Sequence, residues 1–356
     1  MTMKKKLVTI KDIAKKAEVS VATVSYVINN TRYVSPEKEE RVKQAIQELN
    51  YVPNAIARGL RIHESGIIGL TVTDVSNPFY ADLAKACEVV AHNRGYTLTI
   101  INTADQLERT EISASRMREG RLDGLIIATA LDQDRPVIEK LIEEMYPVVL
   151  VHRTLEDIHA DSVVSDNFSG SLQATNHLIA LGHRQICFMG GVFGSTVGTT
   201  RLNAFLHTMN EHGFSVRKEW VLPGRLGYTE SYEATKLLMS LPKQVRPTAV
   251  INITDTGALG VMDAVIDLGM SIPSDLAVIG FDDVFFASTR RIQLTSVRIP
   301  SHDLGRISTN ILIDRLSNTN PFAYKKTILP VELIIRDTCG GSLVKDLKNN
   351  SRRTLV

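Results

Sequence analysis

Two neighbouring acidic residues carry side chains that could support catalysis. Asp282 and Asp283 follow the apolar run Val278–Phe281. Paired carboxylates can bind a metal ion or act as general acid and base, but no His, Cys or Glu set is spaced around them as metal ligands would be. Adjacent acids after a strand more often bind ligand hydroxyl groups or cap a helix. We therefore interpret the pair as a hydrogen-bonding site, with no metal and no catalytic role.

A glycine-rich loop is the second feature with possible chemistry. Gly190–Gly194 reads G-G-V-F-G after an apolar run, and Glu211 lies twenty residues after Gly191. A dinucleotide-binding loop would read G-x-G-x-x-G and would open the α/β region, whereas this loop lies in mid-chain. An NAD-dependent dehydrogenase is therefore only a distant alternative. We expect a protein that is not an enzyme and has no cofactor.

The remaining chemistry-bearing residues exclude further classes of protein. Cys87, Cys187 and Cys339 are too few and too scattered for a disulfide framework or a zinc site. No apolar core follows Lys4, Lys5 and Lys6, and no run of about 18 apolar residues exists. We expect a cytoplasmic protein with no membrane partner.

Charge is distributed unevenly along the chain. Residues 1–63 contain twelve Lys and Arg but six Asp and Glu, a net charge of +6, although the whole chain carries only +2. The other residues therefore carry −4. A basic end on an acidic body is typical of a protein that binds phosphates at one end. A basic, solvated N-terminus would show the same imbalance, so charge alone does not decide.

Three short helices are predicted in the basic segment. Thr9 can cap a first helix and Ser20 a second over Val21–Ile28, while Ser35-Pro36 opens a third. Two short helices joined by a tight turn and supported by a third describe a helix-turn-helix unit. The alternative is a plain three-helix bundle. In a helix-turn-helix unit the second helix enters the major groove of DNA with its N-terminal residues leading.

Longer motifs in the same segment resemble a known family. Val8–Ala14, Val19–Ser25 and Val34-Ser35, together with Asn29 and Arg41-Val42, closely resemble the DNA-binding head of the LacI-type repressors, which include lactose and purine repressors. Tyr51–Leu60 resembles that family's hinge helix. The resemblance implies contacts to double-stranded operator DNA from Thr9, Ser20, Val21, Ala22, Thr23, Ser25, Tyr26, Asn29, Asn54, Ala57, Arg58 and Leu60.

The head departs from the family pattern at three places. Glu18 stands where the family usually has Gly, Tyr26 where it most often has Arg, and Lys38-Glu39 where a Thr-Arg pair is common. Without that Arg, a bidentate contact to guanine is unavailable at position 26. Val21 and Ala22 can touch thymine methyl groups, and the polar residues Thr9, Ser20, Thr23, Ser25 and Asn29 suit phosphate contacts that position the head.

The hinge is expected to fold only in a complex. Pro53-Asn54 can begin a helix of about two turns, which is marginal alone because helix nucleation is costly. The resemblance implies that Leu60 wedges between base pairs in the minor groove, with Arg58 near phosphates.

The rest of the chain alternates between strands and helices. Apolar runs such as Ile67–Val72 and Val148–Val151 are separated by helical segments, which predicts mostly parallel sheets flanked by helices. About 275 residues is long for one sheet domain, so two lobes are expected. The resemblance implies a periplasmic-binding-protein-like α/β body whose chain crosses between lobes near 161–165, 290–295 and 322–327.

The expected domains follow from these patterns. They are an all-α helix-turn-helix head (1–50), a hinge (51–63), a body (64–340) with an N-lobe (64–162 and 293–323) and a C-lobe (163–292 and 324–340), and a disordered tail (341–356).

Ligands in open α/β sheets bind beyond the carboxyl ends of the strands, here between the lobes. His152 replaces a common Asp, Thr254 a common Asn, and Leu226 stands where relatives often place an aromatic residue. Stacking aromatics with Arg201 and Asp282 favour a sugar effector. A purine or nucleoside corepressor and a phosphoprotein partner remain alternatives. The expected effector residues are Asn77, Phe79, Tyr80, His152, Arg153, Arg201, Leu226, Thr254, Asp255 and Asp282.

The expected assembly is a homodimer. Two heads would read a pseudo-palindromic operator, as the symmetry of helix-turn-helix dimers requires. Residues 343–356 contain Lys, Asn and Arg but no leucine heptads, so a coiled coil that joins dimers is not expected.

Overall fold

The computed structural model describes residues 8–29, 31–51, 65–224, 227–317 and 323–341. The chain forms two compact units that divide between Ser65 and Gly66. The described part of the first unit is all-α, and the second alternates strands and helices. This organisation confirms the predicted fold class.

The first unit contains three helices: α1 (Ile10–Lys16), α2 (Val21–Asn29) and α3 (Pro36–Glu48). Each begins directly after the residue predicted to cap it. The three helices share a small core and form a helix-turn-helix bundle. The core consists of the buried side chains Ile13, Ala14, Ala17, Val24, Val42 and Ala45.

The turn between α1 and α2 has an unusual backbone. Glu18 adopts a left-handed conformation with φ of 53°. That region favours glycine because a Cβ atom crowds the neighbouring carbonyl oxygen. Among the described residues, the Glu18 side chain makes only a long, exposed contact with Arg41, at 3.8 Å. The family's usual Gly would therefore fit this turn better than Glu does.

The first sheet of the second unit is entirely parallel. Its order is β11-β5-β4-β3-β1-β2. The strands are β1 (Ile67–Val72), β2 (Thr97–Asn102), β3 (Gly124–Ile127), β4 (Val148–Val151), β5 (Asp161–Ser165) and β11 (Lys326–Leu329).

The second sheet has the order β12-β10-β9-β8-β6-β7, and β12 alone pairs antiparallel to its neighbour in it. Its strands are β6 (Ile186–Met189), β7 (Val221–Leu222), β8 (Ala249–Asn252), β9 (Ala277–Asp282), β10 (Thr295–Arg298) and β12 (Glu332–Ile334).

Helices connect the strands and cover the sheets. They are α4 (Pro78–Asn93), α5 (Leu107–Arg118), α6 (Arg135–Glu143), α7 (Asn167–Ala180), α8 (Thr196–Glu211), α9 (Tyr228–Met239), α10 (Asp255–Asp267) and α11 (Ser301–Ser317). Short 3-10 helices lie at Asp132–Asp134, Lys218–Trp220, Phe285–Ser288 and Asp337–Cys339. Within the described ranges, none of the helices has the length and apolar character needed to cross a bilayer.

The chain crosses between the two sheets three times, slightly later than the sequence predicted. β5 pairs in the first sheet, β10 in the second and β11 in the first again. The crossings therefore follow Ser165, Arg298 and Leu329. The first crossing lies at the end of the predicted range 161–165, and the other two lie a few residues beyond the predicted ranges 290–295 and 322–327. β5 and β10 begin with polar residues, Asp161-Ser162 and Thr295-Ser296, so they do not stand out as apolar runs.

Replacement of Glu18 by Gly should stabilise the first unit by about 0.5–1 kcal/mol, because it removes a left-handed residue that carries a Cβ atom. Part of the gain is offset by the greater freedom of Gly in the unfolded chain. Amide hydrogen exchange in α1 and α2 of the full chain measures the effect. Glu40→Gly, inside α3, is the matched control and should accelerate exchange. Faster exchange in Glu18→Gly would contradict the argument.

Candidate functional site

The N-terminus of α2 presents two small side chains beside a fixed cap. The Ser20 Oγ atom accepts a hydrogen bond from the Thr23 backbone N–H at 3.0 Å and lies 2.9 Å from the Thr23 hydroxyl. Val24 is fully buried against the other helices, whereas Ala22 is exposed and Val21 is half-buried. The buried side of α2 is thus fixed, and the Val21-Ala22 end remains available to a partner.

Several other predicted contact residues of the head already make side-chain contacts within the head. The Thr9 hydroxyl donates to the Asp12 carboxylate at 2.7 Å, and the Asn29 amide donates to the Ser25 carbonyl oxygen at 2.8 Å. The Arg32 guanidinium lies over the Tyr26 ring, 5.3 Å from its centre. These contacts preorder the polar side chains. Asn54, Ala57, Arg58 and Leu60 lie outside the described residues.

A cleft between the two sheets collects most of the predicted effector residues. Its cavity volume is about 190 Å³, more than ten times the roughly 10–15 Å³ that one water molecule needs. It lies where strands of both sheets end and the next helices begin, as the parallel topology requires. The predicted residues that line it are Asn77, Phe79, Tyr80, His152, Arg153, Arg201, Thr254 and Asp282.

Two predicted effector residues do not belong to this set. Asp255 is fully buried and does not line the cleft. Its carboxylate accepts from the Ser296 hydroxyl at 2.6 Å and from the Val284 backbone N–H at 2.9 Å. The prediction of a ligand contact from Asp255 was therefore wrong, since its oxygens are used to join α10 to the neighbouring strands. Leu226 lies outside the described residues.

Arg201 is the most buried charged residue of the cleft. Its side chain is 1% exposed, and its guanidinium lies over the Phe281 ring, 4.1 Å from the ring centre. The Nε atom donates to Asn167 Oδ1 and the Nη1 atom to the Ile253 carbonyl oxygen, both at 2.8 Å. The Nη2 atom has no hydrogen-bond partner among the described residues. Burial lowers the pKa of Arg201 to about 10, so it stays charged at neutral pH.

Asp282 supplies a carboxyl group to the same cleft. Burial raises the pKa of this carboxyl to about 7, although the charge of Arg201 opposes the shift. Behind it, burial and the charge of Asp282 raise the pKa of Asp255 well above its usual value. Asp282 is therefore partly protonated near neutral pH and can either donate or accept a hydrogen bond.

Asp283 has a different role from its neighbour. Its carboxylate accepts from Arg336 Nη2 at 2.6 Å and from Arg298 Nε at 2.8 Å. These ion pairs join the end of β9 to β10 and to the segment after β12. Among the described residues no cluster of His, Cys, Asp or Glu could hold a metal ion. The adjacent acids are thus one cleft residue and one structural residue.

Three rings form one wall of the cleft. The Phe79 and His152 ring centres are 4.5 Å apart, and Tyr80 meets Phe79 edge-on at 5.2 Å. The Tyr80 hydroxyl lies 3.2 Å from Thr73 Oγ1. Burial, followed by the charge of Arg201, lowers the pKa of His152 well below its usual value, so the imidazole is neutral. Its Nδ1 atom has no partner among the described residues.

Other residues that line the cleft were not among the predicted effector residues. They share the positions of those found, because they also follow strand ends or open helices. For example, Ser195 directly precedes α8, and Thr256 lies in the first turn of α10. The cleft is also lined by Thr73, Asp74, Ser76, Val192, Val197, Gly198 and Ile253. A search of every residue just after an apolar run would have found most of them.

The glycine-rich loop forms part of this cleft. Gly190, Gly191 and Gly194 have φ of 105°, 109° and 73°, and Val192 lines the cavity. The Gly194 carbonyl oxygen accepts from the Asp132 backbone N–H of the first lobe at 3.1 Å. The loop therefore closes one edge of the cleft against the other lobe, and its positive φ angles favour glycine at these three positions.

Replacement of Asp282 by Asn should reduce the pH dependence of the body's stability. The folded state holds a proton on Asp282 between about pH 4 and 7, so wild-type stability falls as pH rises through that window. The variant should lose this slope and gain on the order of 1 kcal/mol or more relative to wild type at pH 8. Urea unfolding at pH 5 and pH 8, followed by fluorescence of the single, buried Trp220, measures it.

The matched control is Asp283→Asn, which removes two charge-assisted hydrogen bonds and should destabilise the body. An unchanged slope in Asp282→Asn would contradict the assignment of the raised pKa.

Known proteins match both units. Residues 9–54 match the family of bacterial regulatory proteins, lacI family, and residues 175–339 match the periplasmic binding protein-like domain. The HTH-type transcriptional repressor PurR of Actinobacillus pleuropneumoniae serotype 3 (strain JL03) is 33% identical over 331 residues, which cover 93% of this chain and 98% of that protein.

Solved structures agree with the sequence relatives. The Lac repressor dimer bound to operator and the anti-inducer ONPF has a TM-score of 0.81 at 26% identity, and covers 94% of this chain and 99% of that one. The complex of the transcriptional regulator CelR with cellobiose has a TM-score of 0.70 at 28% identity, over 93% and 99% of the two chains. The chain therefore belongs to the LacI family of bacterial regulatory proteins and is a DNA-binding transcriptional repressor, not an enzyme, with a ligand-binding body.

Proposed function

We propose that a sugar in the cleft controls operator binding by this repressor, which acts in the cytoplasm as a homodimer. The observation that carries the proposal is that Arg201 and Asp282 line one cavity, while Arg201 Nη2 has no hydrogen-bond partner among the described residues. A sugar hydroxyl both donates and accepts, so neighbouring hydroxyl groups can satisfy both residues. Thr73, Ser76 and Ser195 add further hydroxyl groups to the lining.

A purine or nucleoside is the second candidate, because the sequence relatives carry the name PurR. A flat base is held best between two ring faces. Phe79 and Tyr80 instead meet edge-on, at 74°, and are 2% and 5% exposed. The described lining has no aromatic residue apart from them and His152. These features favour a sugar, as does the cellobiose complex of the structurally similar regulator CelR.

Contacts between the lobes suggest how a ligand acts. The Thr196 hydroxyl accepts from the Thr154 backbone N–H and donates to the Thr154 carbonyl oxygen, both at 3.1 Å. A ligand that touches both lobes would favour this closed arrangement over an open one. In the proposed dimer, closure changes the spacing of the two hinge segments and hence their pairing on DNA. A coupling of about 1–3 kcal/mol is enough for useful control.

The proposed DNA contacts follow from the head. Val21, Ala22 and Tyr26 of α2 would face base edges in the major groove of each half-site, with thymine methyl groups as partners for the two small side chains. Arg58 and Leu60 of the hinge would act at phosphates and in the minor groove. The exposed Ala22, the net charge of +6 over residues 1–63 and the operator-bound Lac repressor dimer support this arrangement.

A thermal-shift screen of sugars, purine bases and nucleosides tests the effector. A sugar should raise the melting temperature of the full chain, because a ligand that binds only the folded state stabilises it. Arg201→Gln should abolish the shift, whereas Arg306→Gln, on the exposed surface of α11, should leave it unchanged. A shift produced by purines alone, or one that survives Arg201→Gln, would contradict the proposal.

Gel-shift titration against the chain's own promoter region tests the DNA contacts. Leu60→Ala should weaken binding by about tenfold or more, because the wedge holds the bent duplex. It should leave the effector's thermal shift intact. Affinity should fall steeply with salt, as phosphate contacts require. Equal loss of DNA and effector binding would assign Leu60 to folding rather than to the wedge.

A further inference from the structure

The charge of Arg201 is buried without an acidic partner at short range. Among the described residues no carboxylate lies within ion-pair distance of its guanidinium, and its two hydrogen-bond acceptors, Asn167 Oδ1 and the Ile253 carbonyl oxygen, are neutral. The Asp282 carboxyl group attracts the guanidinium from beyond ion-pair distance. A buried cation with no ion pair at short range costs several kcal/mol of desolvation that neutral acceptors recover only in part. A ligand anion at Nη2 would supply the missing charge.

The first turn of α8 favours an anion at the same place. This helix has 16 residues, and Ser195, Val197 and Gly198 at its start line the cleft together with Arg201. The Ser195 side chain makes no cap to the helix. Free backbone N–H groups and the helix dipole give such a terminus a partial positive charge that attracts anions. Two independent features, a buried guanidinium and a helix start, therefore point to negative charge in the ligand.

Two acidic residues of the cleft, Asp282 and Asp74, could repel a ligand anion, so their charge has to be considered. The Asp282 carboxyl group, whose pKa is raised to about 7 by burial, can take up a proton when an anion binds beside it and then donate a hydrogen bond to that anion. Asp74 is exposed, and its Oδ1 atom accepts from the Ser76 backbone N–H at 2.9 Å and the Ser76 hydroxyl at 2.8 Å. Its charge is screened by solvent. The inner end of the cleft therefore accepts an anion, and the Asp74 end suits hydroxyl groups.

We infer that the effector is an acidic sugar whose carboxylate binds Arg201 Nη2 at the start of α8, with its hydroxyl groups toward Asp74. The inference rests on the proposed sugar-binding function and narrows its ligand class. A carboxylate is favoured over a phosphate because Nη2 is the one guanidinium nitrogen of Arg201 without a partner among the described residues. The other arginine of the cleft, Arg153, is already paired with Asp105 at 2.8 Å. A phosphate dianion would require more unpaired cations than the described lining provides.

Titration calorimetry of the full chain at pH 8 with matched sugars tests the inference. Glucuronate is compared with glucose, galacturonate with galactose, and glucose 6-phosphate is the phosphate arm. At least one uronate should bind about tenfold or more tightly than its neutral partner, as a charge-assisted hydrogen bond at a buried site predicts. The same uronate should bind more tightly than the phosphate ester.

Substitutions distinguish an effect of charge on uronate binding from general damage to the cleft. Asp282→Asn removes a negative charge, so it should strengthen uronate binding several-fold and weaken neutral-sugar binding. Arg201→Gln should abolish the preference for the uronate. Asp314→Asn, an exposed acid on α11, is the matched control and should leave both affinities unchanged. If Arg201→Gln fails to fold, the opposite signs expected for Asp282→Asn still decide the matter.

The outcomes distinguish this inference from the function on which it rests. Equal binding of uronates and neutral sugars would overturn the acidic-sugar assignment and leave sugar control intact. Tighter binding of the phosphate ester would overturn the carboxylate assignment in the same way. Binding of purines with no carbohydrate binding would overturn both.

Discussion

The buried guanidinium of Arg201 connects several elements of the second lobe and lies close to the connection with the first. A guanidinium can leave water only if its N–H groups find acceptors, and three separate elements provide the surroundings here. Asn167 at the start of α7, Ile253 after β8 and the Phe281 ring of β9 surround it. The Ser171 hydroxyl also donates to the Arg201 carbonyl oxygen at 2.7 Å. The positions of α7, α8, β8 and β9 are thus linked through one side chain.

The same cation connects the cleft to the first crossing of the chain. Asn167, which accepts from Arg201, donates its amide N–H to the Ser165 carbonyl oxygen at the end of β5, at 3.1 Å. β5 belongs to the other lobe. A ligand that binds Arg201 therefore acts on a side chain two hydrogen bonds from a strand of the opposite sheet. At the second crossing, Asp283 is held by Arg298 and Arg336 while Asp282 faces the cavity. The two cleft residues Arg201 and Asp282 therefore lie next to the segments in which the chain crosses between the lobes.

Much of this arrangement could be predicted from the sequence, because local rules act on it directly. Thr9, Ser20 and Ser35 mark helix starts through hydrogen-bonding rules that need no tertiary information. The apolar runs of β1 and β4 are visible because both faces of those strands are buried. β5 and β10 were missed because Asp161 and Ser296 make their strands look polar. Those polar groups are satisfied only by distant residues, Arg315 for Asp161 and Asp255 for Ser296. Such partners are a property of the fold and not of the local pattern.

The cleft also has features that local sequence rules predict and features that depend on distant partners. Most of the residues predicted from strand ends line the cleft, because parallel topology brings those ends together. Asp255 satisfies the same positional rule, yet its carboxylate points between β9 and β10 and not into the cavity. Position along the chain fixes which loop a residue belongs to, whereas the direction of its side chain depends on the nearest unsatisfied donors. For Asp255 those are the Ser296 hydroxyl and the Val284 N–H. Arg201 Nη2 and His152 Nδ1 find no such partner in the described chain, so the direction of these two side chains is not set by a hydrogen bond at those atoms.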